Sequence, residues 1–104
     1  MPKMADITGT LSICRRAGKL IGGMDEVKGS CFKHEARCVL IARDFSENSK
    51  KEIERVCERE KVPVYEISES MDDIGYSVGK RFGVMSVTDA GFAKSIVKKL
   101  ATEK

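Results

Sequence analysis

A chain of 104 residues, 41% hydrophobic and free of tryptophan, holds enough material for one domain around one aliphatic core, and too little for two. No apolar run approaches the roughly 20 residues that span a bilayer. The opening Met1-Pro-Lys-Met-Ala-Asp6 also lacks the apolar stretch of a secretory leader, so the expectation is a cytoplasmic chain with no membrane partner. The net charge of +3 conceals an acidic centre. Residues 1–43 carry 8 basic and 4 acidic side chains, residues 44–78 carry 5 and 10, and residues 79–104 carry 6 and 2. If the two basic ends meet in space, they form a patch suited to nucleic acid.

Residues 5–17 place Ile7, Leu11 and Cys14 at helical spacing, with Ile13 and Ala17 broadening the stripe. Gly18 ends this helix, because glycine takes the left-handed conformation at no steric cost. Lys19-Leu-Ile21 is long enough only for an edge strand, and Gly22-Gly23 makes a tight turn. A second helix over 24–33 buries Met24, Val27 and Cys31, with Asp25 and Glu26 in the first turn, where carboxylates favour the helix dipole. Cys38-Val-Leu-Ile-Ala42 is a continuous apolar run and reads as a fully buried strand. Ser46 caps a helix over 47–60 with a narrow apolar face of Ile53, Val56 and Cys57, and Lys50 and Glu54 fall one turn apart on its charged side. Val62–Ile67 is a strand with Pro63 at its start. Ser70-Met-Asp-Asp73 has the spacing of a capping box, opening a short helix that turns Met71, Ile74 and Val78 inward and closes at Gly79. An exposed loop, Lys80-Arg-Phe-Gly83, leads into the strand Val84–Thr88. Asp89 caps a last helix with an apolar stripe of Phe92, Ala93, Ile96, Val97 and Leu100. The order αβαβαβαβα predicts an α/β fold with helices on both faces of one sheet.

The four cysteines are spaced by 17, 7 and 19 residues, and the single histidine, His34, has no zinc-ligand spacing to them. They read as small buried hydrophobes, with no metal or cofactor. The glycines match neither a dinucleotide fingerprint nor a phosphate-binding P-loop, and there is no nucleophile elbow. The expectation is a non-enzymatic chain. The Gly22-Gly23 turn ends the first strand and the 79–83 loop begins the fourth, and loops at one end of a sheet converge into a binding crevice. Lys80 and Arg81 suit phosphates, Phe82 suits a base or ribose if it is not half-buried at the strand end, Glu26 suits a guanine edge, and the start of the second helix offers backbone N–H groups.

Gly18-Lys-Leu-Ile-Gly-Gly-Met-Asp-Glu26, Val39-Leu-Ile-Ala-Arg-Asp44, Cys57-Glu-Arg-Glu-Lys-Val-Pro-Val64 and Ile74-Gly-x-x-x-Gly79 resemble the kink-turn RNA-binding ribosomal protein family. That family includes the archaeal large-subunit protein seven-A-e, the eukaryotic large-subunit protein thirty-e and small bacterial paralogues. With Ser46-Glu-Asn-Ser-Lys-Lys51 and Thr88-Asp-Ala-Gly-Phe-Ala-Lys94, the pattern is most similar to the bacterial paralogues. The resemblance implies a three-layer α-β-α sandwich around a mixed four-stranded sheet. It also implies binding to a sharply bent RNA helix with tandem sheared G·A pairs, with ribosomal RNA and the ribosome as partners. No apolar stripe is left over once the core is filled, so the default is a monomer. The candidate RNA-binding set is Lys19, Gly22, Gly23, Met24, Asp25, Glu26, Lys28, Arg43, Lys80, Arg81 and Phe82. Two positions depart from the family pattern: Asp25 stands where an amide or cation is usual, and Gly29 where a lysine is usual. A second reading keeps the fold and makes the chain a protein-interaction or ribosome-assembly factor.

Overall fold

The computed structural model describes residues 7–102; the opening hexapeptide and the first residues of the predicted helix 5–17 lie outside it. Five helices and four strands alternate: α1 (Thr8–Arg16), β1 (Leu20–Gly22), α2 (Met24–Phe32), β2 (Cys38–Ile41), α3 (Glu47–Glu60), β3 (Val64–Glu66), α4 (Met71–Val78), β4 (Val84–Val87) and α5 (Ala90–Thr102). The local signals behind these boundaries are visible as bonds. Gly18 (φ +75°) ends α1, with its N–H on the Arg15 carbonyl and the Lys19 N–H on the Cys14 carbonyl, both at 2.9 Å. Ser46 Oγ accepts from Ser49 N at 3.1 Å, and Asp89 Oδ2 accepts from Phe92 N at 2.9 Å. Ser70 and Asp73 form the reciprocal capping box.

The sheet order is β1-β4-β2-β3, with β4 antiparallel to both neighbours and β2 parallel to β3. Both faces are covered, so the two central strands are buried throughout. Cys38 and Leu40 of β2 and Met85 and Val87 of β4 join Leu11, Ile74 and Ile96 beneath α1, α4 and α5. Val39, Ile41 and Val84 point the other way, into Val27, Cys31, Ile53 and Cys57 beneath α2 and α3. The architecture is the expected three-layer sandwich. One polar pair crosses the second layer: Ser30 Oγ donates to the Val27 carbonyl at 2.7 Å and therefore accepts from Ser86 Oγ at 2.9 Å. It ties α2 to β4.

All four cysteines are free and buried. Burial, with Asp89 nearby, pushes the Cys14 thiol up to about 11. Burial pushes Cys38 up to about 12, and burial together with Cys31 does the same for Cys57. Such thiols are poor nucleophiles. Two expectations need correction. Ile13 is 55% exposed and Ala17 is exposed, so the buried stripe of α1 is narrower than the spacing suggested. Lys50 pairs not with Glu54 but with Glu47 at 3.4 Å and with Glu66 of β3 at 3.3 Å, because its side chain is buried and turned toward the sheet edge.

Candidate nucleic-acid interface

Strand register decides which loops meet. Gly22 faces Met85, Ile41 faces Val84, and the Ile67 N–H donates to the Ile41 carbonyl at 2.8 Å. The ends of β1, β2 and β3 and the start of β4 therefore share one rim. Backbone bonds join their loops: Gly23 N to Val84 O at 3.1 Å, Ala42 N to Gly83 O at 2.9 Å, and Arg43 N to Glu69 O at 3.0 Å. Two aromatic rings wedge between them. A Cβ on Gly22 would stand 2.5 Å from three carbons of Phe82, and a Cβ on Gly83 would stand 2.0 Å from Phe45 Cδ1. Only glycine leaves room at either place.

Cations ring the Phe82 wedge. The Arg15 guanidinium lies 5.4 Å from the ring centroid and the Lys80 ammonium 5.7 Å from it. Arg15 also donates to the Val78 carbonyl at 3.1 Å. The two basic segments of the chain thus touch the same side chain. Arg81 folds back on α4, with Nε 2.7 Å from Asp72 Oδ1 and its Cγ against Gly75, where a Cβ would come within 2.9 Å. Arg43 donates to the Ser68 carbonyl at 2.9 Å, and Lys50 donates to the Arg43 carbonyl at 3.0 Å, which fixes this loop from beneath. Burial acts to lower the Lys50 pKa, but its hydrogen bond to Glu66 and the charges of Glu47 and Glu66 outweigh it and hold the ammonium above its ordinary value.

Beside Phe82, α2 starts at Gly23 (φ +97°), and its first turn has no side-chain cap, unlike α3, α4 and α5. Such a start carries unpaired N–H groups and partial positive charge. Asp25 and Glu26 are exposed in that turn, and Glu26 Oε1 lies 3.7 Å from where a Cβ on Gly23 would stand.

The predicted residues divide accordingly. Gly22, Gly23, Asp25, Glu26, Arg43, Lys80, Arg81 and Phe82 share the rim. Met24 starts α2 but its side chain packs on the second core layer. Lys28 sits a turn further along and pairs with Glu52 of α3. Lys19 lies at the opposite end of β1, where its carbonyl accepts from Thr88 N at 2.9 Å. Phe82 is half-buried against Gly22, so it joins the two loops as a wedge. Arg15 and Phe45 complete the rim. Arg15 is legible with Arg16 as positive charge just before the glycine turn, whereas Phe45 has no local signal, because it gains its place by packing on Gly83, distant in sequence.

The model of the ribosomal protein L7Ae/L30e/S12e/Gadd45 family matches residues 5–97. The chain belongs to that family. Two curated relatives of this L7Ae-family chain are both named RNA-binding protein YlxQ. The one from Bacillus subtilis is 36% identical over 91 residues, covering 86% of this chain and 90% of the relative. The one from Enterococcus faecium is 34% identical over 84 residues and covers 81% of each. Among solved structures, a protein of unknown function from Bacillus halodurans superimposes with a TM-score of 0.87 at 23% identity, covering 93% of this chain and 98% of that one. A 15.5 kD RNA-binding protein of Giardia lamblia does so at 0.75 and 16% identity, covering 93% and 83%. These two likenesses are of fold.

Proposed function

We propose that this L7Ae-family chain is a non-enzymatic RNA-binding protein of the cytoplasmic translation apparatus. It acts as a monomer and grips a kink-turn, or a similarly bent structured RNA such as one in ribosomal RNA, with the Gly22-Gly23 and Lys80–Phe82 loops. The observation that carries the reading is the seating of Phe82 on Gly22, which holds the uncapped start of α2 beside the cations of the second loop. The printed names of two relatives point to the same ligand class. In this reading the α2 N–H groups bind phosphate oxygens, Lys80 and Arg81 neutralise phosphates, and Glu26 accepts from a guanine edge.

One observation favours the second reading, a protein-interaction or ribosome-assembly factor: Arg81 and Lys28 already have carboxylate partners in Asp72 and Glu52. Magnitudes weigh against it. The Arg81–Asp72 side chains are 61% and 72% exposed, and such a pair is worth only about 0–1 kcal/mol, so giving it up costs little. A phosphate can displace the carboxylate. An electrophoretic shift with a kink-turn duplex at physiological salt separates the readings. The RNA reading expects nanomolar binding that Gly23→Asp abolishes and Lys80→Ala and Arg81→Ala weaken. Binding no better than to an unrelated duplex would favour the assembly factor.

A further inference from the structure

Tyr76 is 91% exposed on α4 and rests on no core layer. It stands between two surface depressions. One is lined by Gly75, Gly79, Lys80 and Arg81 beside Tyr76, and the other by Ser12, Arg15 and Arg16 of α1 beside Tyr76. Gly79 lies three residues on from Tyr76, and Gly75 directly precedes it. Arg81 covers Gly75, but the Tyr76 ring itself stands clear, and a flat ligand can reach its face. Arg15, Arg16, Lys80 and Arg81 line these depressions, with Asp72 paired to Arg81 and Asp73 one turn before Tyr76. The patch is continuous with the rim, because Arg15 and Lys80 both also contact Phe82.

An aromatic platform flanked by cations is the chemistry that holds single-stranded nucleic acid: the base stacks on the ring and the phosphates track the positive charge. The excess of cations lining the two depressions favours a polyanion over a protein partner. We infer that the α1–α4 groove is a second RNA site, which takes an unpaired nucleotide leading away from the structured RNA at the rim, with its base on Tyr76 and its flanking phosphates on Arg16 and Lys80. The inference extends the rim reading, and its test uses a ligand the rim does not select.

Fluorescence anisotropy with a labelled single-stranded oligouridine supplies that test. Tyr76→Ala should weaken binding roughly tenfold, Tyr76→Phe should retain it, and Gly23→Asp should leave it unchanged. Arg16→Ala should flatten the dependence of log affinity on log salt by about 0.7, the loss of one single-strand phosphate contact. Since Tyr76 supports no core layer, the alanine variant keeps its fold, and a thermal melt verifies this. The site is overturned if the wild type does not bind the strand, if Tyr76→Ala binds it equally well, or if Gly23→Asp weakens it as much as Tyr76→Ala does. Self-association lost in Tyr76→Ala with oligouridine binding intact would assign the face to protein contact and overturn it as well. Failure of the rim reading shows separately, as loss of kink-turn duplex binding by the wild type.

Discussion

Phe82 sits face-on to Gly22: Cδ1, Cε1 and Cε2 of the ring are each 2.5 Å from the position a Cβ on Gly22 would take. The ring belongs to the loop before β4 and the glycine to the end of β1, so this contact sets the distance between the two loops. Gly22→Ala must push the ring aside. Overpacking of this kind costs about 1–3 kcal/mol, read as a lower urea midpoint, and it should also weaken kink-turn binding by opening the rim. In Gly22→Ala/Phe82→Ala the steric cost should shrink, giving a non-additive cycle. Additive costs would mean that the ring and the glycine do not constrain each other.

Gly29 offers the opposite kind of test. It lies within α2, and a Cβ there meets nothing within 4 Å. Gly29→Lys should stabilise the fold by about 0.5–1 kcal/mol through helix propensity. It should also tighten binding of the kink-turn duplex and steepen its salt dependence by about one phosphate contact. Calorimetric unfolding and a salt titration of affinity measure the two effects independently.

The pair of serines between α2 and β4 governs how firmly α2 is held. Ser86 is fully buried, and its hydroxyl donates to Ser30. Ser30→Ala leaves that donor unpaired and should cost about 1–3 kcal/mol. Ser30→Ala/Ser86→Ala removes the orphan and should recover part of the loss. Urea denaturation of both variants checks the order.

The fold should weaken at alkaline pH. Cys14 is held up to about 11 and Cys38 and Cys57 up to about 12 by burial, well above the ordinary thiol value of about 8.5. Across that interval the unfolded chain binds fewer protons than the native one, so stability is full below about pH 8.5 and falls as pH rises toward 11–12. Lys50 acts in the same direction. Its raised pKa means that its ion pairs contribute below the ordinary lysine value and lose their contribution as pH passes through the folded one. Urea midpoints at increasing pH should fall monotonically over this range, and Cys38→Ala should flatten the fall. A midpoint independent of pH would contradict the burial of these thiols.

Features set by neighbours in sequence were legible before the structure. The caps at Ser46, Ser70 and Asp89, the α1 stop at Gly18 and the buried run of β2 depend on a few adjacent residues. Features set by distant contacts were not. Lys50 looked paired within its helix, yet its second carboxylate, Glu66, comes from β3. Ile13 fits the helical stripe of α1, but it stays 55% exposed, because the face of α1 that packs inward is narrower than its spacing allows. Lys19 lies close to Gly22 in sequence, although a strand rise of roughly 3.3 Å per residue carries it to the far rim. Phe82 fits a stacking platform by its sequence context, but Gly22 lies against its ring.

The central claim, that the rim formed by the Gly22-Gly23 turn and the Lys80–Phe82 loop grips structured RNA, is tested most directly by amide shift mapping during titration with a kink-turn duplex. The amides of residues 22–26 and 80–82 should move together, while those of Lys19 and Thr88, bonded at the opposite rim, should stay in place. Shifts centred on Lys19 and Thr88, or none at saturating RNA, would contradict it.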